Sequence, residues 1–227
     1  MKKIITIIIV VLIVLGLGYY LFKISPNQTQ QSTSTGYNAA LNISGFKTIT
    51  APPAFDPNVD RYQGLASAKN VFIEYADYQC PSCADYSDML KQVPTTFKDT
   101  VFVFRYFPLV QIHPNSVESA MAAEAAGAQG KYWEMHDILF KNQSDWESLG
   151  DPTNTFMQYA QSVGVSNISQ FQNDITGKKY LPVIQNDYDQ AMGLNLPGTP
   201  SFFFNGHVLQ NADIAGMEKQ AEKYYNN

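Results

Sequence analysis

The sequence predicts an α/β fold in which a β-α-β unit and a closing β-β-α unit flank a helical block of about 80 residues. Three observations lead there. Two short apolar runs rich in β-branched and aromatic residues, Asn70 to Asp77 and Val101 to Phe107, bracket a segment of helical periodicity. From Asn115 to Met192 the signals are helical. Near the C-terminus two further apolar runs meet at Asn205-Gly206, a dipeptide suited to a type I′ hairpin turn.

The chain opens "MKKIITIIIVVLIVLGLGYYLF". The uncharged run from Ile4 to Phe22 holds 19 residues. At about 1.5 Å each they span about 29 Å, close to the hydrocarbon thickness of a bilayer. Lys2 and Lys3 favour a cytoplasmic N-terminus and place the rest outside. Residues 1–24 are therefore expected to form a signal-anchor, a transmembrane helix that tethers the protein to the cell membrane. The rival is a cleaved signal peptide, which would leave a secreted or periplasmic protein; Gly16-Leu17-Gly18 is a weak cleavage site for it. Either arrangement puts the domain on the extracytoplasmic side, where thiols can be oxidised.

Residues 25–66 read as a linker and an irregular N-terminal extension, polar from Ser25 to Gly36 and then mixed, with several prolines. The domain proper is expected over 67–227, with its helical insertion at about 112–195. Asn70 to Asp77 opens it as a strand. Pro81 suits a first helical turn, and Tyr86, Met89, Leu90 and Val93 recur at helical spacing until Pro94 bends or ends the helix. "VFVFRYF" is apolar almost throughout, as a strand covered on both faces should be. Asn115 followed by Glu118 suggests a capping-box variant at the next helix. In "KYWEMHDILFKN" one helical face carries Trp133, His136 and Phe140. "NADIAGMEKQAEKYY" closes the chain as a helix.

Composition removes several classes. A net charge of −5 and the absence of a basic stripe argue against nucleic-acid binding. With only two cysteines in 227 residues the chain is no disulfide-framework mini-protein. Both cysteines sit in "ADYQCPSC", as Cys80 and Cys83. One helical turn apart, they are close enough for a disulfide, but the loop they would close is too short to add much stability. A closed zinc site needs four ligands, and His113, His136 and His207 show no second paired spacing. The third use of the pair is as a reagent. Cys80 lies where a strand ends and a helix begins, a place that stabilises a thiolate. Cys80 would attack, and Cys83, one turn further in, would resolve the mixed disulfide.

"YADYQCPSC" after one strand, "FRYFPL" on the next and "GTPSFFFNG" before the last helix together resemble the DsbA-like branch of the thioredoxin superfamily. The resemblance runs from about Val71 to the C-terminus and includes the helical insertion. It implies a thioredoxin-like fold and a Cys80–Cys83 disulfide that exchanges with substrate thiols. It also implies a cis proline at Pro200 beside the pair, with Thr199 offering backbone groups to a substrate strand. Pro81 and Ser82 would complete the substrate-facing surface. Glu74, six residues before Cys80, matches a position where the family often has an acid under the active site, able to relay the Cys83 proton. One departure stands out. The best-known strong oxidant of this branch has a histidine between its cysteines, where this chain has Ser82, so a less depressed Cys80 pKa and a less oxidising pair are expected.

The expected function is thus an extracytoplasmic thiol:disulfide oxidoreductase, acting as an oxidase on reduced or misoxidised exported proteins. A membrane-bound redox partner would recycle it, and no metal or cofactor is implied. The alternatives are a reductase or isomerase of the same fold, or a non-catalytic thioredoxin-like binding module.

Overall fold

A computed structural model describes residues 37–226. The expected anchor, residues 1–24, lies outside the described residues, as does the polar tether from Ser25 to Gly36. Among the described residues no helix is long and apolar enough to cross a membrane.

Among the described residues the first regular element is a single turn of 3-10 helix at Asn38–Ala40, followed by β1 (Arg61–Gln63) and β2 (Asn70–Ala76). Helix α1 (Pro81–Leu90) and the one-turn α2 (Val93–Thr96) lead to β3 (Thr100–Tyr106). Six helices follow: α3 (Ser116–Gly127), α4 (Tyr132–Lys141), α5 (Gln143–Trp146), α6 (Thr153–Ser162), α7 (Ile168–Thr176) and α8 (Leu181–Gly193). Strands β4 (Ser201–Phe204) and β5 (His207–Leu209), helix α9 (Ile214–Ala221) and a 3-10 turn at Glu222–Tyr224 follow.

The sheet has the order β1-β3-β2-β4-β5. β2 and β3 run parallel, which requires the α1–α2 crossover between them. β1 joins β3, and β4 joins β2, in antiparallel fashion. Central β2 is flanked on both sides, and six of its seven residues are buried; every residue of β3 is buried as well. Their continuous apolar runs are the sequence signature of that double coverage. The hairpin turn is as the sequence predicts: Asn205 and Gly206 both have positive φ, 47° and 82°. Asn205 also stitches the turn down, accepting from the Val71 N–H at 2.9 Å and donating to the Tyr224 carbonyl at 2.8 Å.

Three local expectations are corrected. The segment before residue 67, expected to be irregular, supplies edge strand β1; three residues are too few to show alternation. The first helix stops at Leu90, and Pro94 sits in the first turn of α2, where its missing N–H leaves no helical bond unmade. No capping box forms at α3. Asn115 makes no side-chain cap bond; its amide instead donates to the carbonyls of Trp146, Glu147 and Leu149, and Glu118 accepts from the Thr153 hydroxyl at 2.7 Å.

Candidate active site

The end of β2 and the start of α1 make the site. Ala76 is the last strand residue, and Cys80 is the N-cap of α1 with extended dihedrals, φ −77° and ψ 119°. Its N–H donates to the Asp77 carbonyl at 3.0 Å, and its carbonyl accepts from the Ala84 N–H at 3.2 Å. Pro81 occupies the first helical position. This places the Cys80 sulfur at the positive end of the helix. Cys83, one turn further in, faces the core. Cys80 is 7% exposed and Cys83 0%, so the one open approach to the pair is at Cys80. Ser82 between them is half-buried.

Both cysteines carry free thiols. The two sulfurs are electrically unlike. A hydrogen bond from the Cys83 side chain outweighs desolvation and, with the Thr199 side chain, brings the Cys80 thiol down to about 6. Burial pushes the Cys83 thiol well above its ordinary range, and the Cys80 sulfur and the Glu74 carboxyl add to the effect.

Strand β4 brings the second segment in. The Thr199–Pro200 peptide bond is cis, and the Cys80 thiol donates to the Thr199 carbonyl at 3.5 Å, a distance ordinary for sulfur. The Thr199 hydroxyl is buried without a hydrogen-bond partner, leaving it available to donate when Cys80 ionises. A cleft of 660 Å³ runs from Thr199 and Pro200 along Phe203 towards Leu196, Val208 and Gln210.

Glu74 lies in β2 between Phe104 of β3 and Phe202 of β4. It is 2% exposed, and its Oε1 has no hydrogen-bond partner. Burial, with the charge on Cys80 adding to it, holds this carboxyl well above the usual range. The structure thus gathers Cys80, Cys83, Thr199, Pro200 and Glu74 around one point, as the sequence suggested, with Pro81 and Ser82 on the first turn of α1.

Other groups around the turn were not singled out from the sequence. The Gln143 amide donates to the carbonyls of Tyr78 at 2.7 Å and Cys80 at 3.0 Å, tying α5 to the turn. Asp77 Oδ2 accepts from the Leu109 N–H at 2.8 Å and from His113 Nδ1 at 2.7 Å. His113 looked like one of three unremarkable histidines. Only Asp77, three residues before Cys80, was near enough in sequence to hint at a partner. Arg105 is 2% exposed and paired with Asp60 at 2.9 Å.

Fold and site together define the class: this is the architecture of the DsbA-like thiol–disulfide oxidoreductases. The family model described as "Thioredoxin" matches residues 57–223, and the chain belongs to the thioredoxin family. Among solved structures it is similar to oxidised BdbD from Bacillus subtilis, with a TM-score of 0.66, 22% identity and coverage of 79% of this chain and 98% of that one. It is also similar to Wolbachia pipientis alpha-DsbA1, with a TM-score of 0.55, 25% identity and coverage of 65% and 75%. A curated relative from Mycobacterium sp. (strain KMS), named Na(+)/H(+) antiporter NhaA 1, is 38% identical over 161 residues, covering 70% of this chain and 25% of its own. The chain thus spans about a quarter of that relative's length.

Proposed function

We propose that this protein is a disulfide-donating oxidase that acts on exported proteins, with Cys80 as the exchanging sulfur and Cys83 as the resolving one. One observation carries the reading: the two sulfurs are poised in opposite senses, Cys80 down to about 6 and Cys83 well above its usual range. A stabilised Cys80 thiolate favours the dithiol state, and a pair that favours its dithiol state is oxidising as a disulfide.

In the forward direction a client thiolate attacks Cys80 of the Cys80–Cys83 disulfide. The S–S bond breaks, a bond between the client and Cys80 forms, and Cys83 leaves with the electron pair. Cys83, buried and high in pKa, takes a proton; the protonated Glu74 carboxyl behind it is the donor. A second client thiolate then attacks the client sulfur of the mixed disulfide, and Cys80 departs as a thiolate, its low pKa making it a good leaving group. The client has lost two electrons and gained a disulfide; the protein holds a dithiol. The cleft beside Thr199 and Pro200 accommodates the client chain, whose backbone can pair with Thr199. Pro81 and Ser82 border the entering sulfur. An electron acceptor in the membrane, beside a domain anchored through residues 1–24, would restore the disulfide.

Replacement of Cys83 tests this reading. Cys83→Ser is expected to accumulate mixed disulfides with exported clients on non-reducing gels, and Cys80→Ser to form none. Absence of trapped clients with Cys83→Ser, or a pair that stays oxidised in strongly reducing glutathione buffer, overturns the oxidase.

A further inference from the structure

The residue between the cysteines, Ser82, carries no charge, and the causes that hold Cys80 low are hydrogen bonds from Cys83 and Thr199, which leaves open what faces the thiolate as a charge. Of the three histidines, His136 is packed among aromatic rings, and burial drives it down to about 3, so it is neutral. His207 stacks on Tyr224 at 3.9 Å in the exposed hairpin. His136 also reaches the turn, its Nδ1 3.0 Å from the Tyr78 hydroxyl, but it is neutral; His113 is the histidine held by a turn carboxylate.

The fastening is specific. The loop that leaves β3 is laced to the segment between β2 and α1 by the Leu109 N–H and His113 Nδ1 on Asp77 Oδ2. The Asn115 N–H adds a bond to Gln79 Oε1 at 2.7 Å. Asp77 Oδ1 takes the Gln79 N–H at 2.8 Å, and the Asp77 backbone carbonyl takes the Cys80 N–H. The carboxylate that holds His113 therefore belongs to the residue whose backbone holds Cys80. Asp77 is fully buried, and His113 is 14% exposed.

We propose that His113, clamped by Asp77, is a positioning residue that supplies the positive charge facing the Cys80 thiolate, the role that no residue between the two cysteines fills. The proposal rests on reading Cys80 and Cys83 as a redox pair. The charged groups that act on His113 are Asp77 and Cys80, from the junction of β2 and α1, and Glu147, just beyond α5. Its own loop, residues 107–115, contains no other ionisable side chain. Desolvation opposes the imidazolium, but the hydrogen bond and charge of Asp77, with Cys80 and Glu147 adding to them, raise His113 above its ordinary value. Asp77 by itself disfavours the thiolate; it accepts from two N–H groups and from His113 Nδ1, and its charge favours the imidazolium. As pH rises through the His113 pKa the cation is lost, and with it part of the preference for the dithiol state.

The test uses the full chain in its dithiol form and follows thiolate absorbance and the glutathione equilibrium against pH. His113→Gln is expected to raise the Cys80 pKa by about one unit, a tenfold loss of thiolate below that pKa. His113→Lys, which restores a cation, should recover most of the loss. Coupling between two sites is reciprocal, so Cys80→Ser should lower the His113 pKa, read by NMR, by the amount that His113→Gln raises that of Cys80. An unchanged Cys80 pKa in His113→Gln, or equal loss in His113→Lys, overturns the proposal. Should His113→Gln fail to fold, an unmoved His113 titration in Cys80→Ser overturns it alone. These titrations read protonation only. A low Cys80 pKa that depends on His113, in a protein that traps no client, would sink the oxidase and leave this inference standing.

Discussion

At the scale of single residues the site works through contrast. Two identical thiols one helical turn apart diverge because one caps the helix and takes hydrogen bonds, while the other is desolvated. Glu74 adds to this contrast on the Cys83 side, after burial and the Cys80 sulfur. Glu74→Gln keeps the shape and removes the titratable proton. Release of the mixed disulfide by Cys83 is expected to slow by about 100-fold, the lower end for a lost general acid–base, while alkylation of Cys80 keeps its rate; rapid-mixing single turnovers separate the two. The substitution also leaves a mark on stability. Glu74 has a folded pKa raised above its unfolded value, so its contribution is present in full below the unfolded value and is lost as pH rises through the folded one. The disulfide form of Glu74→Gln should therefore gain stability over the parent as pH rises, measured as the urea midpoint at acidic and alkaline pH. A parallel pH dependence in the two proteins would show that Glu74 is ionised and solvated.

Among the elements, the helical insertion both covers the sheet and holds the site. Gln143 of α5 pins the turn carbonyls, and Asn115, at the entrance of α3, fastens the loop carrying His113 to the end of α5. Asn115 was legible in the sequence as a helix-start residue, but its actual partners lie more than 30 residues away in the chain. Asn115→Ala removes one amide that serves three carbonyls, so a cost of about 1–3 kcal/mol is expected from urea unfolding. The unpartnered Asn115 Oδ1 places that cost nearer the lower figure. The elements themselves were largely readable. β2 and β3 announced their burial through apolar runs, and the hairpin announced itself through Asn205-Gly206. β1 did not, because an edge strand of three residues is defined by its partner β3 and not by its own pattern.

For the whole molecule, redox state and folding are linked. A folded state that holds Cys80 as a thiolate, where the unfolded chain does not, stabilises the dithiol protein relative to the disulfide protein. The dithiol form is thus expected to unfold at higher urea than the disulfide form at neutral pH, the reverse of a disulfide that serves as a staple; a more stable disulfide form would argue for a reductase. Local sequence was enough to establish the βαβ framework, the separation of the two halves by helices, and the strand-to-helix junction that makes Cys80 and Cys83 a reagent. These follow from periodicity and turn chemistry within short windows. Tertiary packing decides the rest: that Glu74 is buried without a partner between Phe104 and Phe202, that Thr199 meets Cys80 across 119 positions, and that Asp77 holds His113 across 36. Burial and charge proximity depend on segments distant in the chain, so the features that set the direction of electron flow appear only once the chain is folded.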